Sequence, residues 1–364
     1  MHLIYLGPLP SSCSDADRIN ISEAISGFCK QTGSLVYFES LSQLSDSTNL
    51  NEFRLFSLKS LFKIEKQLVR VIRIGGVPTH RIWRNLSEPA LSHVEITNID
   101  TKKFSGLPSD RPKVKTLQLG DWKELKSVLG SLEAAYLKNP DLTRVKEFKK
   151  QDHNLLAEYR KLIQEFEKSE IAFFRELKKQ CQHGDWVYLG NSLPVREWDA
   201  VQGLDEFKKI KFEANRGANG IDGQLSSFLG WTSQSQDGVH STAWAILGDL
   251  TTLYNLDGPW ILRDLPPRRR VLVIVNNGGG KIFSGLKNLN NVDPQTRARF
   301  FELQHHVNFG KWAEFWGVDY EKITDPNEIK NWNQKKRADQ SFQVLEIQPD
   351  TNQSILFSEN WALK

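Results

Sequence analysis

The sequence predicts an α/β protein of two domains, each a mostly parallel sheet flanked by helices. Three observations carry that prediction. Short, wholly apolar runs recur along the chain, as strands buried on both faces require. Segments with apolar residues at three-to-four spacing separate them, as helices covering such sheets require. The 364 residues suit two cores of ordinary size better than one or three.

The elements follow in order. "LIYLG" is the first strand, and "ISEAISGFCKQTG" after it is a helix that stops at Gly33. "SLVYFES", "VRVIRIGG" and "VKTLQLG" are further buried strands, and "SGLPSDRP" at 105–112 is a loop among them. These make a first domain over 1–130. A helical linker follows over 131–168, overlapping a charged helical region at 143–182. There Leu155, Leu156, Tyr159, Leu162, Ile163 and Phe166 form one apolar face, and the lysines and glutamates read as a solvated one. Ser169 before "EIAFFREL" is placed to cap a helix and to open a second domain over 169–364. In that domain "DWVYLGNS", "IKFEANRG", "TAWAILGD", "VLVIVNNGGG" and "FQVLEIQP" each read as a buried strand. The first four end in polar or glycine residues and run into helical segments. No solenoid-period repeat is visible.

Bulk properties narrow the partners. The net charge of +4 is a mild basic excess that fits small anionic ligands at least as well as nucleic acid. Arg268, Arg269 and Arg270 precede a buried strand and read as a solvated loop rather than a nucleic-acid patch. Cys13, Cys29 and Cys181 are odd in number and widely spaced, so neither a disulfide framework nor a metal spacing follows, and a reducing cytoplasm is expected. "MHLIYLGPLP" lacks the pattern of a secretion signal, and no apolar run approaches the ~20 residues that span a bilayer.

The chemistry is expected where the strands end. In open parallel sheets ligands bind outside the carboxyl ends of the strands. Ser192, Arg216, Asp249 and Asn277 should therefore gather along one rim. The Asp249 carboxylate, the Asn277 amide oxygen and a backbone carbonyl such as that of Gly279 are hard oxygen ligands. Three of them leave positions open on an octahedral Mg²⁺, which phosphate oxygens commonly fill. Gly278, Gly279 and Gly280 would let the backbone turn toward the metal. The same residues admit another reading, in which Asp249 caps the helix "LTTLYNL" and the asparagines only make a turn.

Spacing adds to this. "GDLTTLYNLDG" and then "VNNGGGKIF" resemble the Mg²⁺–thiamine diphosphate motif. "GNSLPVR", "NRGANGIDG", "GDLTTLYNL" and "NNGGGKIF", in that order, resemble the 2-succinyl-5-enolpyruvyl-6-hydroxy-3-cyclohexene-1-carboxylate synthases of menaquinone biosynthesis. "VIRIGGVPTHRIWRNL" resembles that family's middle domain more weakly. The resemblance implies that Asp249, Asn277 and the Gly279 carbonyl hold Mg²⁺ and the cofactor diphosphate. It implies that Ile221 packs on the cofactor and that Ile282 and Phe283 line its pocket. Ser192, Arg196 and Arg216 would face the substrates, with Arg81 a further substrate-side arginine. The family's substrates, 2-oxoglutarate and isochorismate, are dicarboxylates, which arginine forks match in a way lysine cannot.

Departures from the pattern bear on substrate shape rather than on the metal site. His80 stands where the family tends to have lysine, and Ala214 and Asn219 where it often has small hydroxyl residues. Asn255 and Asp257 invert its usual order. The family also has three α/β domains, and this length has room for two. The N-terminal pyrimidine-binding domain carries the glutamate that hydrogen-bonds the aminopyrimidine and promotes its activation. No motif here offers a replacement. The resemblance therefore implies half of an active site that is usually built across a dimer interface. It leaves two readings: a split enzyme with a separate pyrimidine-domain polypeptide, in a homo- or hetero-oligomer, or a non-catalytic relative that binds the cofactor or a metabolite as an interaction subunit.

Overall fold

The computed structural model describes residues 1–136, 142–217, 219–233, 241–284, 286–289, 291–334 and 342–362. The chain forms two units. One comprises 1–161 with 202–207, and the other comprises 162–201 with 208–362.

The first unit runs β1 (His2–Leu6), α1 (Asp15–Thr32), β2 (Leu35–Phe38), α2 (Leu58–Ile64), β3 (Arg70–Ile74), α3 (Arg81–Asn85), β4 (Glu95–Asp100), β5 (Val114–Gln118), α4 (Leu125–Tyr136) and most of α5 (Leu142–Glu165). Its five strands are all parallel, in the order β2-β1-β3-β4-β5. The apolar runs that mark β1, β2 and β3 are buried along nearly their whole length. The helix α1 starts at a capping box between Ser14 and Asp17 and ends at Gly33 in the left-handed conformation, the stop expected there. On α5, Leu155, Leu156, Tyr159 and Ile163 are buried while Lys146, Lys150 and Lys161 are exposed, so the charged face is a solvated one.

The second unit runs α6 (Glu170–Gln180), β6 (Trp186–Leu189), α7 (Leu193–Val201), β7 (Lys211–Glu213), α8 (Gln224–Ser233), β8 (Ala243–Gly248), α9 (Asp249–Leu253), β9 (Arg270–Val275), α10 (Pro294–Phe300), α11 (Phe309–Phe315), β10 (Asp319–Ile323), α12 (Glu328–Gln334), β11 (Phe342–Ile347) and α13 (Thr351–Trp361). Its six strands are also parallel, in the order β10-β11-β9-β8-β6-β7. After β6 the chain goes outward to β7 and then returns to the other side of β6 as β8. That reversal opens a crevice at the carboxyl ends of β6 and β8, where α/β sheets bind ligands.

Three expectations need correction. The strand β5, expected to be buried, is an edge strand whose residues are half-buried or exposed. Arg268 and Arg270 are buried rather than in a solvated loop. The Arg268 guanidinium lies over the Trp186 ring at 4.2 Å and donates to Ser241, and Arg270 donates to Thr232 at 2.9 Å. Aromatic faces and hydroxyls replace the water these charges give up. Ser169 does occupy the N-cap of α6, but its side chain makes no capping bond and is buried.

Candidate metal and cofactor site

A cavity of about 460 Å³ opens at the crevice. It collects Ser192, Arg196, Arg216, Ile221, Asp249, Asn277, Gly279, Ile282 and Phe283 from four strand ends and the helices after them. Arg81 is elsewhere. It opens α3 in the first unit, where it is exposed and donates to Asn85 at 3.2 Å. His80 beside it is buried.

Asp249 is the first residue of α9, and its carboxylate is heavily used. Oδ1 accepts from Leu250 N at 2.6 Å, and Oδ2 accepts from Gly278 N at 2.9 Å and Gly279 N at 2.8 Å. His305 Nε2 lies 3.2 Å from the same oxygen. Burial pushes the carboxyl above its ordinary range, against the pull of the Leu250 and Gly279 amides and of His305. Asp249 is not the cap of α9: Gly248 holds the N-cap and no side chain makes a capping bond there. The carboxylate reaches further, tying the start of α9 to the glycine loop after β9.

The glycines answer to geometry. Gly278 has φ +82° and Gly279 has φ +131°. A Cβ on Gly279 would stand 2.4 Å from the Glu302 carbonyl oxygen, so the loop is closed to any side chain there. The same carbonyl accepts from Gly280 N at 2.5 Å. Glu302 is buried, and its carboxylate meets Lys281 at 2.7 Å and Ser284 at 3.0 Å. The Gly279 carbonyl accepts from Lys281 N at 2.8 Å and keeps a second lone pair.

The two asparagines part company. Asn276 Nδ2 donates to the buried Glu346 at 2.9 Å, and its Oδ1 accepts from Gly278 N at 3.3 Å. Asn277 Nδ2 donates to both oxygens of Glu170, at 2.9 and 3.2 Å. Its Oδ1 is buried and has no partner among the described residues. A buried amide oxygen left unpaired costs about 1–3 kcal/mol, and a cation at this point removes that cost. With the Asp249 carboxylate and the Gly279 carbonyl beside it, the donor set is all oxygen, as Mg²⁺ prefers. The residues fit a Mg²⁺-bound diphosphate.

The two arginines of the cavity are held by backbone and side-chain amide oxygens. Ser192 has φ +75°, an uncommon conformation for a residue with a side chain. Arg196, one turn on in α7, donates through Nη1 to the Ser192 carbonyl. Arg216 Nη1 donates to Asn191 Oδ1 at 2.6 Å. Asn191 in turn donates to the carbonyls of Asn215 at 2.9 Å and Gly220 at 2.7 Å, which fixes the loop after β7. Both arginines are half-buried, so their charge is partly shielded from water. Of the family departures, Asn255 is structural: it accepts from Ser226 N at 2.8 Å and donates to Asp257 at 3.0 Å.

Glu170, Glu197, Asn191, Lys281, Glu302 and His305 escaped the sequence reading. Glu170 was only a first-turn acid of a helix, and its partner Asn277 is 107 positions away. Burial raises its carboxyl, and burial together with Glu170 raises that of Glu197 well above the ordinary range. The "GNS" tripeptide alone pointed toward Asn191.

No family model matches the chain. Curated relatives do. The chain is 32% identical over 340 residues to the 2-succinyl-5-enolpyruvyl-6-hydroxy-3-cyclohexene-1-carboxylate synthase of Bdellovibrio bacteriovorus, which covers 92% of this chain and 58% of that protein. It is 31% identical over 284 residues to the synthase of the same name from Akkermansia muciniphila, covering 78% of this chain and 49% of the relative. A Listeria monocytogenes synthase matches at 30% over 179 residues, 49% of this chain and 29% of its own length. The chain thus spans about half the length of the relatives it matches over most of its own.

Proposed function

The chain belongs, over the stretch it shares with them, to the family of 2-succinyl-5-enolpyruvyl-6-hydroxy-3-cyclohexene-1-carboxylate synthases, and from that kinship we propose that it forms the diphosphate-binding half of a Mg²⁺- and thiamine diphosphate-dependent transferase. The reaction is decarboxylation of 2-oxoglutarate and addition of the four-carbon fragment to isochorismate, in menaquinone biosynthesis. The observation that carries the reading is the cavity that holds Asp249, Asn277 and Gly279 together with Ser192, Arg196 and Arg216.

Each residue has a task in this reading. Asp249, the Asn277 amide oxygen and the Gly279 carbonyl hold Mg²⁺, and through it the diphosphate. When bound, thiamine diphosphate supplies the electron sink for loss of CO₂ from a 2-oxo acid. Ile221, Ile282 and Phe283 give the cavity an apolar wall on which the cofactor would pack. Arg196 and Arg216 orient substrate carboxylates through paired N–H donors. A pyrimidine-binding domain and its glutamate complete the site; a co-purifying polypeptide that carries them would make the working enzyme a hetero-oligomer. All three cysteines are free thiols, which suits a reducing cytoplasm. No helix among the described residues is long and apolar enough to cross a membrane.

The test uses tagged protein drawn gently from its own cells with its partners, beside protein made alone in a heterologous host. Isochorismate consumption is followed with 2-oxoglutarate, Mg²⁺ and thiamine diphosphate. Activity in the native eluate alone, with a co-purifying pyrimidine-domain chain, supports the split synthase. Activity in the lone chain refutes the need for a partner. Cofactor binding without turnover in either sample points instead to a non-catalytic binding subunit.

A further inference from the structure

We propose that Glu170 is a positioning residue for the metal site, acting by locking the Asn277 amide with its oxygen turned toward the cation. The inference rests on the metal reading of Asp249 and Asn277. A primary amide can rotate by half a turn at almost no steric cost, exchanging a donor NH₂ for an acceptor oxygen. Only the neighbours decide which end faces the metal. Here the Asn277 NH₂ lies 2.9 and 3.2 Å from the two oxygens of Glu170. The flipped amide would set oxygen against carboxylate oxygen at that distance, and would point an NH₂ at the metal. Glu170 therefore makes one of the two orientations far lower in energy.

The surroundings fix Glu170 itself. It is 5% exposed, in the first turn of α6, and its backbone N–H donates to Ser354 Oγ at 3.0 Å. The neighbouring Asn276 is a built-in contrast. Its NH₂ is also held by a buried carboxylate, that of Glu346, but its oxygen is consumed by Gly278 N. Only at Asn277 does the lock leave a buried oxygen without a protein partner among the described residues. Partners behind metal ligands of this kind commonly contribute 10- to 100-fold in affinity.

Mn²⁺ binding in the presence of thiamine diphosphate, read by the loss of the free-ion EPR signal, tests the assignment on the full chain drawn from its own cells with its partners. Glu170→Leu is expected to weaken Mn²⁺ binding about 10- to 100-fold. Glu170→Gln, whose carbonyl still accepts from the Asn277 NH₂, is expected to stay close to wild type. In an Asn277→Asp background both side-chain oxygens are equivalent and no lock is needed, so adding Glu170→Leu should cost little there. Should Glu170→Leu not fold, Glu170→Asp, which withdraws the carboxylate by one methylene, is expected to show the same loss. Wild-type affinity in the folded Leu or Asp variant overturns the proposal, as does equal loss in the Gln variant or equal loss in the Asn277→Asp background. Wild-type protein that takes up no Mn²⁺ overturns the metal site itself, and this inference with it.

Discussion

Gly279→Ala is the sharpest test of the loop geometry, because Gly278 supplies its own control. Both glycines have positive φ, +131° and +82°, but only one is crowded. An alanine Cβ at 279 would stand 2.4 Å from the Glu302 carbonyl oxygen, whereas at 278 nothing lies within 4 Å. Relief to an ordinary contact needs a backbone shift of about 1 Å. At 279 the backbone also lies in a region almost closed to other residues, which costs about 1–3 kcal/mol, and the overlap adds about 1–3 kcal/mol of overpacking. Gly279→Ala should therefore cost about 2–6 kcal/mol in all, against about 1–2 kcal/mol for Gly278→Ala from left-handed conformation alone. Because the loop is at the rim, part of the cost will appear as displacement of the Gly279 carbonyl rather than as global unfolding. Urea denaturation and Mn²⁺–thiamine diphosphate titration on both variants measure the two shares. If Gly279→Ala matches Gly278→Ala in both, the close approach of the 302 backbone does not shape the site, and the reasoning fails.

Three further outcomes follow from the same geometry. Asp249→Ala should abolish Mg²⁺-dependent thiamine diphosphate binding, measured calorimetrically, and retained binding removes Asp249 from the metal. Arg216→Ala, at a half-buried charge, should lower kcat/KM by about 2–3 kcal/mol, roughly 30- to 150-fold, in whichever preparation turns over, with little change in melting temperature. Glu197 bears on pH. Burial and Glu170 hold its carboxyl well above the ordinary value, so the folded state favours the neutral form. The stability this gives is fully present below the unfolded pKa and is lost as pH rises through the folded one. Glu197→Gln, a permanent mimic of the neutral form, should match wild type near pH 4 and gain on it as pH rises toward 9, read as urea midpoints; a gap that is constant with pH contradicts the buried-pair account.

How much of this could be read from the sequence depended on whether the constraint was local. Strands buried on both faces leave continuous apolar runs, so β1, β3, β6, β8 and β9 were legible. Strands β4 and β10 were not. Thr97 and Asn98 interrupt the apolar pattern of β4, and Asn98 is buried at 0% exposure although it is polar. β10 is a sheet-edge strand whose "DYEKI" is mostly exposed or half-buried, as edge strands often are. Arg268 and Arg270 misled because charge was read as exposure, while the faces of Trp186 and the hydroxyl of Thr232 lie in distant segments.

The site divides in the same way. The glycine loop was visible because a backbone held at positive φ against another backbone admits one residue type, and that leaves a mark at the position itself. The strand-end rule then brought Ser192, Arg216, Asp249 and Asn277 to one rim without any knowledge of side chains. What an oxygen does at that rim is set by whatever faces the other end of the same amide or carboxylate, and no such mark exists in sequence. Asn276 and Asn277 are adjacent and identical in type, yet one oxygen is used by Gly278 and the other is left open. Their carboxylate partners, Glu346 and Glu170, lie 70 and 107 positions away in opposite directions along the chain. A substitution at Glu170 would thus look like a change in an ordinary helix start while acting on a ligand atom more than a hundred residues on, which is why the cycle between Glu170→Leu and Asn277→Asp is more informative about this site than either change alone.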